Sequence, residues 1–150
     1  MFFEPYRVAL IGHRYLEKIR HIEERLDDEI HHLLRIHGAV DFYIGRNGDF
    51  DIVAASRIRK AMANYGPECV NLILVLPYMV AHYDDYRAYY SDIIIPSSLE
   101  HVHPKAAITL RNRWLVDNTD CLIAYVRSLS GGAAACCNYA IIRNKPLIRL

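Results

Sequence analysis

Two adjacent glycines near the C-terminus have the setting of a phosphate-binding loop. An apolar, strand-like run over residues 121–126 passes into a short polar loop, and Gly131 and Gly132 follow Ser130 before the small residues that begin at Ala133. Glycines let backbone N–H groups approach an anion closely, and a helix start adds the positive end of its dipole. The residues therefore predict an anion cradle, although a tight strand-to-helix turn without a ligand would also select glycine.

A second group of residues suited to a nucleotide follows the first apolar run of the chain. Gly12, His13 and Arg14 combine a glycine, a titratable ring and a guanidinium at the end of a predicted strand. Such a set suits contacts with phosphate or ribose. The alternative is a surface turn whose side chains are solvated.

A third glycine-bearing loop contains Gly45, Gly48 and Asp51. It lacks the G-x-G-x-x-G spacing of the dinucleotide fingerprint, so an ordinary loop explains it better than a binding loop does. Either Asp49 or Asp51 could cap the helix that follows. If the loop binds a ligand, Asp51 could instead accept a ribose hydroxyl.

Arg111 and Arg113 lie on a predicted helix just before the fifth strand. Because they are two residues apart on a helix, at most one of them readily faces a cleft. Trp114 fits the core better than a stacking surface. Catalytic patterns are few, since the chain has neither a G-x-S-x-G elbow nor a G-x-x-x-x-G-K-[ST] loop. Glu100 is the only carboxylate in the loop after the fourth strand.

The cysteines and histidines do not suggest a metal site. The four cysteines contain no Cys-x-x-Cys pair, and three of them lie in apolar surroundings at Cys121, Cys136 and Cys137. Buried free thiols explain them better than disulfides or metal ligands. The eight histidines are scattered, so we expect neither a metal nor a cofactor.

Strand-like and helix-like segments alternate along the whole chain. The apolar patterns predict strands at residues 7–11, 40–44, 70–76, 92–95, 121–126 and 146–150, and helices at residues 16–36, 51–64, 105–118 and 132–143. The tyrosine-rich residues 78–90 could form a short helix or lid. This alternation predicts an α/β domain with a mainly parallel sheet covered by helices on both faces. Ligands of such sheets bind at the carboxyl ends of the strands, where the three glycine-bearing loops would meet.

Length and composition predict one domain over residues 1–150. The hydrophobic fraction of 53% and the charged fraction of 23% are ordinary for a globular protein. No apolar run approaches the length of a membrane span, and the N-terminus resembles neither a signal nor a transit peptide. We therefore expect a cytoplasmic protein. The net charge of +1 gives no sign of a nucleic-acid surface.

Four motifs occur in an order that resembles a known superfamily. They are Gly12-His13-Arg14, the segment 48–51 that ends in Phe-Asp, the Arg-Asn-Arg-Trp run that begins at Arg111 and ends at Asp120, and Gly131-Gly132-Ala133. Together they resemble the SLOG superfamily, which joins the DNA-processing Smf/DprA proteins to the "lonely guy" cytokinin-activating phosphoribohydrolases. The nearest branch is that of small, bacterial, single-domain members. The resemblance implies a Rossmann-like three-layer fold and a nucleotide or nucleotide-derived ligand, and it is compatible with a homo-oligomer.

The phosphoribohydrolase branch of that superfamily uses a catalytic arginine and a catalytic glutamate. Aligning its motifs places Arg111 on the arginine and Asn138 on the glutamate, while Ala134 and Ala135 replace Gly-Thr. Asparagine cannot act as a base or stabilise an oxocarbenium-like transition state by charge. This argues against hydrolysis unless Glu100 or Asp51 takes the role, so whether the chain is an enzyme stays open.

The sequence thus predicts a nucleotide-binding sensor, carrier or sequestering module. Backbone N–H groups at Gly131, Gly132 and Ala133 would meet phosphate, and Arg111 and Arg14 would supply countercharge. The alternatives are a nucleotide N-glycosidic hydrolase and a DNA-processing accessory protein. Because the net charge is nearly neutral, we expect a small nucleotide-like partner rather than nucleic acid or a membrane.

Overall fold

The computed structural model describes residues 4–150 and has six strands and five α-helices in alternation. The strands are β1 (Tyr6–Gly12), β2 (Val40–Ile44), β3 (Val70–Val75), β4 (Asp92–Ile94), β5 (Cys121–Tyr125) and β6 (Leu147–Arg149). The helices are α1 (Ile19–His37), α2 (Asp49–Tyr65), α3 (Tyr83–Tyr89), α4 (Pro104–Asp117) and α5 (Gly132–Ile142), with a 3₁₀ turn at Ser97–Leu99. All strand pairs are parallel, in the order β4-β3-β2-β1-β5-β6. The predicted α/β, Rossmann-like three-layer fold is confirmed.

The sheet separates two apolar cores, because successive side chains of a strand point to opposite faces. On β1, Val8 and Leu10 belong to the core that also contains the buried side chains of α1 and α2. Ala9 and Ile11 belong to the other core, together with buried residues of α4 and α5. Strands buried on both faces need nearly continuous apolar sequence, and this explains the runs by which they were predicted.

The order in which the chain adds strands reverses at β1. From β1 the chain adds β2, β3 and β4 on one side, and it then crosses to add β5 and β6 on the other. The connections after β1 and β5 therefore leave neighbouring strand ends in opposite directions and open a crevice between them. The three glycine-bearing loops meet at this edge, as predicted.

Two details near that edge differ from the sequence prediction. Helix α1 begins at Ile19 rather than at residue 16, because the N–H of Leu16 donates to Asp49 Oδ2 at 3.0 Å and holds this segment as a loop. The N-cap position of α2, just before the helix begins at Asp49, is occupied by Gly48. Because Gly48 has no side chain, there is no side-chain cap at this position, and neither Asp49 nor Asp51 provides one. Asp51 instead reaches back from the first turn, and its Oδ2 accepts the N–H of Asn47 at 3.0 Å.

The cysteines are free thiols, and three of them, Cys121, Cys136 and Cys137, are buried in the cores. Burial raises the pKa of the Cys121 thiol to about 11 and that of Cys136 to about 12. Both thiols are therefore protonated at neutral pH and act as small apolar side chains. Within residues 4–150, no helix is both long enough and apolar enough to cross a membrane.

Candidate functional site

A cavity of about 570 Å³ opens at the carboxyl ends of β1, β2 and β5. Its lining includes every residue that the sequence proposed for ligand binding, namely Gly12, His13, Arg14, Gly45, Gly48, Asp51, Arg111, Ser130, Gly131, Gly132 and Ala133. The crevice at the reversal of strand order brings these residues together, since they come from three loops and from α4. Their use in binding stays a prediction.

The loop after β1 is fastened to the start of α2. The N–H groups of Asp49 and Phe50 donate to the carbonyls of Arg14, at 2.8 Å, and His13, at 3.3 Å. The backbones approach so closely that a Cβ on Gly48 would lie 2.5 Å from Arg14 Cα. These contacts occupy the N–H groups at the start of α2, so this helix has little capacity left to bind an anion.

The start of α5 is arranged differently. Gly131 has a φ of +99°, which a residue with a side chain rarely adopts. The first N–H of this region that bonds back to the turn is that of Ala135, which donates to the Gly131 carbonyl at 3.0 Å. The preceding N–H groups at Gly132 and Ala133 have no acceptor within the helix and lie at the positive end of its dipole. This turn can therefore receive an anion from the cavity.

Arg111 of α4 is the buried cation of the cavity, with only 5% of its surface exposed. Its Nη1 donates to the Val75 carbonyl at 2.9 Å, and its Nε donates to Asn112 Oδ1 at 3.0 Å. Among the described residues, no carboxylate oxygen lies within the 4.0 Å of an ion pair with it. Burial lowers the pKa of Arg111, and Asp51 is the main charge that opposes this. An incoming anion would add the missing countercharge.

Asp51 is the one carboxylate among the described cavity residues. Burial raises its pKa, whereas the N–H of Asn47 and the charge of Arg111 lower it. Gly45 lies between the two charged groups, since a Cβ there would be 2.7 Å from Arg111 Nη1 and 3.1 Å from Asp51 Oδ2. A side chain at residue 45 would therefore disturb both.

Sequence reasoning missed two residues that organise the site. The backbone N–H of Arg127 donates to His13 Nε2 at 2.6 Å and ties the loop after β5 to the loop after β1. The Arg127 guanidinium stands 4.9 Å from the ring centre of Tyr125 and lines the cavity. Its place directly beyond β5 was an available signal. Asn112 belongs to the Arg-Asn-Arg-Trp run, but nothing in that run indicates its contact with Arg111, because adjacent residues on a helix point in different directions.

Three other residues singled out from the sequence do not line the cavity. Arg113 is exposed and lies over the Tyr139 ring at 5.5 Å, so only Arg111 of the pair faces the cavity, as predicted. Glu100 is exposed beyond the 3₁₀ turn, and Asn138 is exposed on α5. A carboxylate at residue 138 would therefore lie outside this cavity. Within residues 4–150, His, Cys, Asp and Glu form no group of three that could hold a metal ion.

Comparison with solved structures shows the fold. DNA processing protein A from Helicobacter pylori, studied for its single-stranded DNA binding mode, superimposes with a TM-score of 0.65 and 17% identity over 97% of this chain. DNA processing protein A (DprA) from Streptococcus pneumoniae superimposes with a TM-score of 0.61 and 18% identity, also over 97% of this chain. The chain spans 65% of the first protein and 50% of the second. No family model and no curated protein matches the sequence.

The expectation that nucleic acid is not a partner is wrong. It rested on a net charge of +1, yet the H. pylori protein with the same fold is one that binds single-stranded DNA. Net charge averages over the whole surface, whereas the cavity sets Arg14, Arg111 and Arg127 against the single carboxylate of Asp51. A local excess of positive charge is sufficient to attract a phosphate backbone. Membership of the SLOG superfamily and the oligomeric state stay predictions.

Proposed function

We propose that this chain binds single-stranded DNA and that the cavity holds the phosphate of one nucleotide. The observation that carries the proposal is Arg111, a cation with 5% exposure that faces the cavity without a carboxylate within 4.0 Å. A buried charge is costly unless it is paired, so the site favours an anionic ligand. The single-stranded DNA binding of the H. pylori protein supports DNA as the class of ligand.

In this proposal the backbone N–H groups and the arginines have separate roles. The N–H groups of Gly132 and Ala133 would hold the phosphate oxygens at the start of α5, and Arg111 would neutralise the charge from the floor of the cavity. The exposed Arg14 and Arg127 would guide the strand at the rim. Such contacts position the backbone and carry no sequence information, so we expect little base preference in the cavity itself.

The second candidate is a free nucleotide, which the volume of the cavity favours. About 570 Å³ lies within the range of small-molecule sites, and it would hold one nucleotide rather than a length of strand. Both candidates use the same phosphate contacts. The two candidates differ in one expected property. If DNA is the ligand, the affinity of the protein should rise when further nucleotides are attached to the first one.

Fluorescence anisotropy of a labelled oligodeoxythymidylate tests the proposal. Arg111→Met removes the buried charge while keeping a long apolar side chain, and we expect binding at least about tenfold weaker, equivalent to roughly 1.4 kcal/mol. The matched control is Arg113→Met, which removes an exposed arginine of the same helix that does not line the cavity. Circular dichroism melting of both variants establishes that they are folded.

Competition separates the two candidates. If DNA is the ligand, unlabelled oligonucleotide should displace the probe at far lower concentration than thymidine 5′-monophosphate does. Equal potency per phosphate would favour a free nucleotide. Undiminished oligonucleotide binding by Arg111→Met would contradict the placement of the phosphate in this cavity.

A further inference from the structure

Only Tyr90 of the tyrosine-rich segment beside the cavity packs against a core. None of the residues of α3 (Tyr83–Tyr89) is buried, and Tyr89 exposes 38% of its surface. Tyr83, Tyr86 and Tyr90 recur at spacings of three and four, which places their rings on one side of the helix. Tyr83 and Tyr86 are half-buried and Tyr89 is exposed, so these rings keep accessible surface on which an aromatic ligand could stack.

Arginines from two neighbouring elements lie against these rings. The guanidinium of Arg46 stands 5.5 Å from the centre of the Tyr86 ring, and that of Arg59 stands 4.2 Å from the centre of the Tyr89 ring. Arg59 also donates to the carbonyl of Tyr89, and this fixes the end of α3 against α2. The ring centres of Tyr89 and Tyr90 are 5.0 Å apart. The result is a row of neighbouring rings with a guanidinium group at each end.

This row begins at the cavity. Arg46 directly follows Gly45, which lines the cavity, and it precedes Asn47, which lines it as well. Arg59 lies ten residues along α2 from Asp49, which corresponds to about 15 Å of helix. A strand leaving the cavity past Arg46 would therefore reach Tyr89 within a few nucleotides.

The acidic residues of α3 do not block such a path. Asp84 lies 3.8 Å from Arg87, and Asp85 lies 3.8 Å from His82, so each has a basic neighbour within the segment. Asp84 lies away from the face that carries Tyr83, Tyr86 and Tyr90, whereas Asp85 lies four residues before Tyr89 on the same side of the helix, with His82 as its basic neighbour.

We propose that Tyr86 and Tyr89, with Arg46 and Arg59, form a surface on which successive bases of a single strand stack. The proposal rests on the proposed function, because it extends the strand whose phosphate occupies the cavity. Aromatic rings stack on every base, and the arginines beside them neutralise the backbone. The surface explains how a cavity that holds one nucleotide could bind a polymer more tightly than a monomer.

The test uses three probes and matched tyrosine variants. The probes are thymidine 5′-monophosphate, an oligodeoxythymidylate, and an abasic deoxyribose-phosphate strand of the same length. Tyr86→Ala and Tyr89→Ala should each weaken oligodeoxythymidylate binding about tenfold and leave the monophosphate and the abasic strand unaffected. Tyr89→Phe keeps the ring and should bind as the unmodified protein does. The control is Tyr65→Ala, at the far end of α2 from the cavity.

The outcomes separate the two proposals. Unchanged oligonucleotide binding by both alanine variants, with binding lost in Arg111→Met, would overturn the stacking surface and keep the cavity. Weaker binding by the tyrosine variants, with Arg111→Met unaffected, would keep the surface and overturn the cavity. Equal affinity of the unmodified protein for the abasic and the thymidylate strands would also overturn the surface. Because Tyr86 and Tyr89 are not buried, we expect Tyr86→Ala and Tyr89→Ala to retain the melting temperature of the unmodified protein, and binding by Tyr65→Ala is compared below its own melting temperature because Tyr65 packs against a core.

Discussion

At the scale of single residues, Arg111 and Asp51 are held in surroundings that oppose their charges. Burial lowers the pKa of the arginine and raises the pKa of the carboxyl, and the attraction between the two opposes both shifts. The Arg111 guanidinium and the Asp51 carboxylate form no ion pair within 4.0 Å. In the free cavity the two charges therefore stay apart. A bound phosphate would supply the countercharge that Arg111 lacks, and it would repel the carboxylate of Asp51.

Asp51 should make the stability of the free protein depend on pH. Because its pKa is raised in the folded protein, the native state binds more protons than the unfolded chain between the two pKa values. Stability therefore falls as pH rises through that window, which starts near the ordinary value of about 3.9. Asp51→Asn removes the penalty, so its stability relative to the unmodified protein should rise as the pH rises above about 3.9.

Urea denaturation at a series of pH values measures this difference. The difference in free energy of unfolding between Asp51→Asn and the unmodified protein should grow with pH in favour of the variant. A difference that stays constant, or that shrinks with rising pH, would contradict the effect of burial on this carboxyl.

Asp51 also provides a test of the alternative that the chain is a nucleotide N-glycosidic hydrolase. Glycosidic hydrolysis ordinarily uses a pair of carboxyl groups, and Asp51 is the one carboxylate among the described cavity residues. We expect no release of free base from nucleoside 5′-monophosphates, followed by liquid chromatography. Asn138→Glu should not change this, because residue 138 is exposed on α5 and does not line the cavity.

A different result would be informative. Base release that disappears in Asp51→Asn and persists in the control Glu100→Gln would make the chain an enzyme that works with a single cavity carboxylate. Glu100 suits this control because it is exposed and does not line the cavity.

At the scale of elements, the sequence patterns predicted nearly the whole fold. Strand β2 spans Val40–Ile44 as predicted, because strands buried on both faces appear as continuous apolar runs between turn residues. The start of α1 was missed because a contact with Asp49, 33 positions away, decides it. The tethering of Arg127 to His13 was missed for the same reason, since it joins residues 114 positions apart. Local patterns cannot reveal such pairs.

The junction of β1 with α2 should tolerate no added atom. A Cβ on Gly12 would lie 2.2 Å from the Phe50 ring, which is completely buried and has no room to withdraw. Gly12→Ala should therefore lower the free energy of unfolding by about 1–3 kcal/mol, as overpacking of a core does. Gly132→Ala is the matched control, because a Cβ there meets nothing within 4 Å, and it should be at least as stable as the unmodified protein.

Chemical denaturation of both glycine variants compares them directly. Equal stability of Gly12→Ala and Gly132→Ala would contradict the close packing of the β1 end against α2.

At the scale of the whole molecule, charge is separated although its sum is nearly zero. The net charge is +1, but the strand reversal gathers Arg14, Arg111 and Arg127 around one cavity. Acidic side chains lie elsewhere on the surface, and Glu23 and Asp27, for example, pair with Arg57 between α1 and α2. Composition records the total and not this arrangement, so the sequence alone led to the wrong conclusion about nucleic acid.

The separation of charge should appear in the salt dependence of binding. The affinity of a protein for a single strand falls as salt is added. The slope of log K against log salt is about −0.7 for each phosphate that the protein neutralises. If the cavity and its rim neutralise two or three phosphates, the slope of log K against log salt should be about −1.4 to −2.1. Arg127→Met should make it less negative by about 0.7, because Arg127 is exposed at the rim. The exposed Arg113 lies away from the cavity, so Arg113→Met should leave the slope unchanged. Anisotropy titrations at several sodium chloride concentrations give each slope, and a slope near zero for the unmodified protein would contradict binding through phosphate.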